Sequence, residues 1–360
     1  MNIHIFNPEH DMALVANSPH WTSPHAGRQL REDLGWIPAL WAKDGDVVIV
    51  EDTDNAQWCY SRLKISGRKP EVRFATMHTL AKVCPLDDID EVLTWGWDRA
   101  IRHQMHLAGI SYDKMPADNQ LDDIRRLSGR QITMRLLPFL RKDVEDRTCG
   151  EVMMLKSMDE AEALLEKLGN VVVKSPWSCS GRGVKYLKDN VITKNQRGWM
   201  TNALRQQGEL MAEPLHDNVF DFGMEFSMAN GKAKYEGLSL FDTANGAYTG
   251  SLLATEDEKM EMISAYVDTQ LLRQVADRIC TFAEQELTAY EGPFGVDMMM
   301  VRKGERTLLN PCVELNLRRT MGHTALALSP TERGHKQVMR IAYEGTHYHL
   351  RLFNNEELLY

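Results

Sequence analysis

The sequence predicts an α/β protein with more than one subdomain, and three observations support this. Short apolar strands alternate with helical segments over residues 1–115, which is typical of a parallel sheet. A strand, a capped helix and a second strand follow one another over residues 151–174. Two further strands, at 294–301 and 307–315, are joined by a tight turn at 303–305. A chain of 360 residues is long enough for two or three such units.

The composition excludes several classes of protein. The chain has 42 Lys+Arg and 51 Asp+Glu, so its net charge is 42 − 51 = −9, which argues against a general nucleic-acid binder. No apolar run approaches the length of a membrane span, and the N-terminus lacks the features of a secretory signal. The six cysteines are scattered and fit reduced thiols. We expect a cytoplasmic protein without nucleic-acid or membrane partners, and a homodimer is possible.

The elements divide the chain into three parts. Residues 1–115 form a small N-terminal α/β domain with strands at 3–6, 47–50 and 92–94 and helices at 26–34 and 100–107. Residues 116–190 form a second part with a helical stretch at 118–140, a helix from a capping box at 157 to residue 168, and strands at 151–155, 171–174 and 184–187. Residues 191–360 form the third, with strands at 209–213, 222–228 and 233–239, a helix at 264–288, the hairpin, and a final amphipathic helix at 329–345.

The first chemically informative segment is VVVKSPWSCSGRGV, residues 171–184. Lys174 ends a buried strand, and a loop of small residues follows it, including Ser178, Ser180, Gly181 and Gly183. Glycine imposes no side-chain barrier, so such a loop can bring backbone N–H groups close to phosphate oxygens. An ordinary surface hairpin would have a similar sequence, and both interpretations stay open on this segment alone.

The second segment, residues 292–323, carries a more specific pattern. Asp297 lies in an apolar strand, and Glu314 and Asn316 lie two residues apart on another strand, so their side chains share a face. Two carboxylates and an amide oxygen suit Mg²⁺, which binds a few carboxylates together with substrate phosphates. Arg318 places a guanidinium on the same face, where it can bind a phosphate. The alternative is a set of polar residues on an exposed hairpin face.

Together these segments resemble the ATP-grasp superfamily over roughly residues 118–325. The resemblance implies two α+β subdomains that grip ATP, preceded here by the N-terminal domain. It implies that Lys174 and the loop contact the nucleotide phosphates. It also implies that Asp297, Glu314 and Asn316 hold Mg²⁺, with Mn²⁺ as a possible substitute, and that Arg318 stabilises the transferred phosphoryl group.

The resemblance also implies nucleotide contacts outside the two segments. The strand ELMAEPL is similar to the hinge on the adenine side, which gives roles to Glu213, Pro214 and Leu215. Asp221 and Glu225 are both candidates for the ribose hydroxyls. Arg130 lies where the family generally has an earlier phosphate-binding lysine; arginine keeps the charge and adds a two-pronged donor.

A polar cluster directly follows the first strand, and it includes His10, Asp11 and Arg28. Ligands of open α/β sheets bind beyond the carboxyl ends of the strands, so this cluster is a candidate site for the substrate. Structural capping of the chain is the equally weighted alternative. Arg28 would bind a substrate carboxylate, and Asp11 would face an amine.

The function that the resemblance implies is Mg²⁺- and ATP-dependent ligation of a carboxylate to an amine through an acylphosphate. Both substrates would be small molecules or peptides. Two alternatives use the same nucleotide site. One is phosphoryl transfer to an acceptor that is not a carboxylate, and the other is a nucleotide-binding module without catalytic activity.

Overall fold

The N-terminal domain is built on a parallel sheet in the order β3-β2-β1-β4. The computed structural model describes residues 1–65, 69–178, 183–244 and 247–354. The four strands are β1 (Asn2–Ile5), β2 (Val47–Ile49), β3 (Arg73–Ala75) and β4 (Glu91–Thr94). The helices are α1 (His10–Ala16), α2 (His25–Leu34), α3 (Thr53–Arg62), α4 (Leu80–Val83) and α5 (Arg99–Leu107). Three of these strands are predicted from the sequence; β3 was missed because only Ala75 of its three residues is buried.

Aspartates fix where two of these helices begin. The Asp52 side chain accepts hydrogen bonds from the backbone N–H groups of Asp54 and Asn55 at the start of α3. Asp98 accepts from the backbone N–H of Ile101 at the start of α5. Each satisfies N–H groups that a helix start leaves without partners. Asp98 follows β4, so the cap also fixes the chain at the carboxyl edge of the sheet.

The second part of the chain contains a four-stranded antiparallel sheet in the order β5-β8-β6-β7. Its strands are β5 (Met153–Leu155), β6 (Val171–Lys174), β7 (Val184–Leu187) and β8 (Leu210–Pro214). It is accompanied by helices α8 (Met158–Leu168) and α9 (Lys194–Gln207), while α6 (Asp118–Leu127) and α7 (Thr133–Arg141) precede it. Because β8 pairs with both β5 and β6, this subdomain extends beyond the expected boundary at residue 190.

The third part is a seven-stranded antiparallel sheet in the order β13-β12-β9-β10-β11-β14-β15. Its strands are β9 (Asp217–Ala229), β10 (Lys232–Ala244), β11 (Ala247–Leu253), β12 (Gly292–Lys303), β13 (Arg306–Asn316), β14 (Gln337–Glu344) and β15 (His347–Asn354). The helices of this part are α10 (Glu256–Ile263), α11 (Thr269–Glu286) and α12 (Met321–Leu328). Helices α6, α7 and α11 pack over one face in a common hydrophobic core, so residues 118–141 belong with this sheet.

The expected helix at 329–345 is wrong. Residues 337–344 form β14, which pairs with β11 on one side and β15 on the other. Val338 and Met339 are both buried, because packing covers both faces of the strand at this point. Two consecutive apolar residues fit either a helix face or a strand that is covered on both faces, so the sequence pattern does not distinguish the two. Pairing with strands on both sides makes this segment a strand.

No helix within residues 1–65, 69–178, 183–244 and 247–354 is both long and apolar enough to cross a membrane.

Candidate functional site

The predicted metal-binding residues lie on one face of two neighbouring strands, β12 and β13. Asp297 on β12 pairs directly with Glu314 on β13, and Asn316 pairs with Gly295 on β12. Residues between them point to the opposite face, where Val296 and Leu315 are buried in the core under the helices. The alternation of strand side chains therefore places all three oxygen-bearing residues together, as predicted.

Hydrogen bonds orient these side chains. The Asn316 amide donates from Nδ2 to Asp297 Oδ2 at 2.9 Å, and its Oδ1 accepts from Arg318 Nη2 at 2.9 Å. Burial, followed by the charges of Glu314 and Glu225, raises the pKa of Asp297 to about 7. A cation among these oxygens would favour the ionised carboxylate. The residues present therefore fit a bound divalent cation.

A glycine on the same face allows the Glu225 carboxylate to approach closely. A Cβ on Gly295 would lie 2.6 Å from Glu225 Oε2, so a side chain there would collide with that carboxylate. In the described residues, no group of three or more His, Cys, Asp or Glu is arranged to hold a metal ion. A cation held by Asp297, Glu314 and Asn316 would consequently need further oxygen ligands, and the phosphates of a nucleotide supply them.

Arg130 connects the loop that follows β6 to this face. Its guanidinium donates to the backbone oxygen of Ser175 at 2.6 Å and to Ser178 Oγ at 2.7 Å. It also pairs with both carboxylate oxygens of Glu314, at 2.7 and 2.9 Å. Arg130 is buried, and the structure brings it together with Ser178 and with Glu314, a predicted metal ligand.

Lys174 is the last residue of β6 and lies on the other side of the loop. Its Nζ forms a 2.5 Å ion pair with Glu213 on β8 and lies 3.5 Å from the backbone oxygen of Val313. The ion pair joins the predicted phosphate-binding lysine to the predicted hinge. Pro214 ends β8, and the backbone N–H of Leu215 donates to Asn170, so the hinge is fixed by its own subdomain.

The start of β7 is packed against the beginning of the loop. A Cβ on Gly183 would overlap the side chains of Ser178 and Ser175, so only glycine fits there. Ser180 and Gly181 lie outside the described residues.

The two ribose candidates have different surroundings. Asp221 on β9 accepts hydrogen bonds from Asn218 and from Thr243 Oγ1, at 3.2 and 3.0 Å. Burial raises the pKa of Asp221, and Lys174 is among the groups that oppose this rise. Asp221 therefore lies near the charge of Lys174 and remains partly accessible.

Glu225, by contrast, is fully enclosed beneath the start of α12. Its Oε2 accepts from Thr320 Oγ1 at 2.8 Å and lies 3.0 Å from His323 Nδ1. These contacts hold α12 against β9. They leave Asp221 as the better placed of the two candidates for a ribose hydroxyl.

His216 is a residue of this region that the sequence interpretation missed. It directly follows Leu215, and burial lowers its pKa, with Lys303, Glu213 and Lys174 among the nearby charges. Among the described residues, neither of its ring nitrogens has a hydrogen-bond partner, although both are buried. A buried polar group without a partner is costly, so this imidazole is a candidate contact for a nucleotide. Its position after the hinge motif was the available signal.

No family model matches the chain, and no curated protein matches it. Biotin carboxylase from Campylobacter jejuni, solved as a β-γ-ATP complex, matches with a TM-score of 0.52 and 10% identity, over 94% of this chain and 75% of that chain. N5-carboxyaminoimidazole synthetase from Staphylococcus aureus, complexed with ADP, matches with a TM-score of 0.48 and 12% identity, over 95% and 82%. The chain has the ATP-grasp fold.

The predicted ATP-grasp fold is thus confirmed, and the N-terminal domain contributes directly to its site. Arg318 donates from Nε to both Asp11 carboxylate oxygens at 3.1 Å, and its Nη2 lies 2.9 Å from Asp11 Oδ2. Burial would raise the pKa of Asp11, but Arg318 holds it below its usual value. A two-pronged carboxylate contact fixes the plane of a guanidinium, so Asp11 orients Arg318.

The three predicted substrate residues do not converge on one cavity. His10 and Asp11 line a narrow cavity together with Ser178, Glu314 and Asn316. The buried His10 ring is held by Asp98, with Nδ1 3.0 Å from Oδ2.

Arg28 lines a different cavity, in the N-terminal domain, and donates to the backbone oxygen of Ser23. The structure therefore places Asp11 beside residues predicted to bind phosphate and metal, and it separates Arg28 from them.

Proposed function

We propose that the protein is an ATP-dependent ligase that joins a carboxylate to an amine and forms ADP and phosphate, with Mg²⁺ as the metal ion. The observation that carries the proposal is the convergence of Asp297, Glu314 and Asn316 with the cations Arg130 and Arg318. Oxygen donors for a metal and guanidinium groups for phosphate are the two requirements of phosphoryl transfer. The ATP-grasp fold supports ATP as the phosphoryl donor.

The reaction balances in two steps. The substrate carboxylate attacks the γ-phosphorus of ATP, the bond to the bridging oxygen breaks, and ADP leaves with that electron pair. The amine then attacks the acyl carbon, phosphate leaves, and the amine loses a proton as the amide forms. Mg²⁺, when bound with ATP, neutralises charge on the phosphate oxygens.

The residues of the chain position these groups rather than form a covalent bond with them. Lys174 and Arg130 lie on either side of the phosphate loop and would bind the nucleotide phosphates. Arg318 lies between Asn316 and Asp11, where it would bind the transferred phosphoryl group. Orientation and charge neutralisation of this kind account for most of the catalysis in phosphoryl transfer.

Product analysis tests the proposal. The protein is incubated with Mg·ATP and pairs from a panel of amino acids, dipeptides and small acids, and ADP, phosphate and amide are measured. The expected result for an active pair is one ADP and one phosphate for each amide. With ¹⁸O in the substrate carboxylate, one labelled oxygen should appear in the phosphate, because the acylphosphate carries it. A phosphorylated acceptor without an amide, or ADP without transfer of label, would contradict the ligase assignment.

The metal assignment has a matched control on the same hairpin. Glu314→Gln should lower ADP release about a hundredfold, since it removes one of the two carboxylate charges at the metal position. Glu305 lies exposed in the turn between β12 and β13, so Glu305→Gln should leave turnover unchanged. Normal turnover in Glu314→Gln would refute the metal site. Asn316→Asp adds a charge at the same place and should also slow turnover.

A further inference from the structure

The N-terminal domain contains a cleft of about 460 Å³ that the ligase mechanism does not use. It lies at the carboxyl edge of the parallel sheet, where Asn7, Glu51 and Asp98 follow β1, β2 and β4. Helices α1, α2 and α5 contribute its walls. Its volume lies in the range of small-molecule sites, and the carboxyl edge of such a sheet is where ligands bind.

The cleft is separate from the phosphate and metal residues. It shares no lining residue with the narrow cavity that contains Asp11 and Glu314. Glu9, which lines the cleft, precedes α1 and is continuous with it, because the backbone N–H of Ala13 donates to Glu9. Successive helical residues are rotated by about 100°, so Glu9 and Asp11 project to opposite sides of α1. The helix therefore stands between the two sites.

The charge of the cleft is predominantly negative. Glu9, Glu32, Glu51 and Asp98 line it, against two arginines, Arg28 and Arg31. Arg31 is already engaged: it lies 3.3 Å from Glu9 Oε1 and 3.3 Å from Glu51, and it donates to Gln104 at 2.9 Å.

One of these carboxylates is incompletely satisfied. Glu9 is only 8% exposed, and its Oε2 has no hydrogen-bond partner among the described residues. Burial raises the pKa of Glu9 although Arg31 opposes the rise. A buried carboxylate oxygen without a partner is costly, and a cationic donor would satisfy it.

We propose that this cleft binds a small organic cation, with an ammonium or guanidinium group that reaches Glu9. Trp21 forms part of the wall and offers an aromatic surface to the cation. Exposed Glu32 and Glu51 at the opening add to the negative potential that attracts it. This site is independent of the proposed ligase activity, since it requires neither ATP nor the metal residues.

Calorimetric titration of the whole protein without ATP or Mg²⁺ tests the proposal. Putrescine serves as the ammonium probe, agmatine as the guanidinium probe, and 1,4-butanediol as an uncharged analogue of putrescine. At least one cation should bind and the diol should not. Glu9→Gln should weaken binding at least tenfold, whereas Glu166→Gln, an exposed glutamate on α8, should have no effect.

Two further variants distinguish failure of this proposal from failure of the ligase proposal. Glu314→Gln should bind the cation as the parent does, whatever its turnover. Glu51 has a half-exposed side chain, so Glu51→Gln can be made without burying a group, and it should weaken binding several-fold even if Glu9→Gln folds poorly. Absence of binding by both cations, equal binding of the diol, or the same affinity in Glu51→Gln and a folded Glu9→Gln as in the parent would overturn the proposal.

Discussion

Replacing Arg130 with alanine should cost stability and ATP affinity together. The guanidinium is buried, and the change removes its contacts with Ser175, Ser178 and Glu314. Breaking a fully buried ion pair costs about 3–5 kcal/mol. Glu314 is 24% exposed, so water compensates in part, and we expect about 3 kcal/mol. The melting temperature should fall by roughly 4 °C, since the entropy of unfolding grows with the 360-residue chain.

A double-mutant cycle shows whether the cost arises at the pair with Glu314. In a Glu314→Gln background the carboxylate charge is already absent, so Arg130→Ala should lower the melting temperature by about half as much. An identical fall in both backgrounds would refute the electrostatic explanation. The cycle needs only thermal unfolding and does not depend on turnover.

The effect of Arg130 on ATP is measured separately. Arg130→Ala should raise the KM for ATP about tenfold, because one charge-assisted phosphate contact is worth about 1.4 kcal/mol or more. Arg130→Lys keeps the charge without the planar fork and should recover part of the affinity. If Arg130→Ala lowers the melting temperature but leaves the KM for ATP unchanged, the residue is structural and the phosphate assignment is refuted.

Three further predictions concern Asp11, His216 and Glu9. Asp11→Asn should lower kcat about tenfold with little change in the KM for ATP, because it loosens Arg318; an equal effect on KM, measured by ADP release, would contradict this positioning role. His216→Phe should raise the KM for ATP several-fold, while an unchanged value would exclude a nucleotide contact. Burial raises the pKa of Glu9 above 4.5, so the folded protein keeps this proton to a higher pH than the unfolded chain. Stability should therefore fall as pH rises from about 4.5 through the folded pKa, and the melting temperature of the parent should fall relative to Glu9→Gln; a constant difference would contradict the burial effect.

The metal face could be predicted from the sequence because it depends on one local rule. Side chains alternate along a strand, so Glu314 and Asn316 must share a face when Leu315 is buried. Asp297 joins them because the short turn at 303–305, which is visible in the sequence, pairs the two strands as a hairpin. The register shift between Asp297 and Met299, which brings Asp297 opposite Glu314, is not visible in the sequence.

Other features depend on contacts that no local pattern encodes. Asp221 and Glu225 lie on the same face of β9, and only Thr243 on β10 and Thr320 before α12 distinguish their surroundings. The strand β14 forms because β11 and β15 lie on either side of it. In both cases, the partners are distant in sequence, and local propensity gives way to tertiary pairing.

The segment after β1, residues 7–11, connects the two sites. Asn7 holds it to the end of β4 through hydrogen bonds with the backbone of Trp95 and Gly96. Glu9 and Asp11 then lie on opposite sides of the same helical turn. A cation bound to Glu9 would therefore shift the turn that carries Asp11, and Asp11 orients Arg318. We expect Mg·ATP to change the affinity for putrescine or agmatine about fivefold, and linkage requires that the cation change the affinity for Mg·ATP by the same factor. Titration of each ligand with and without the other measures both factors. Equal affinities in both experiments would show that α1 separates the sites without coupling them.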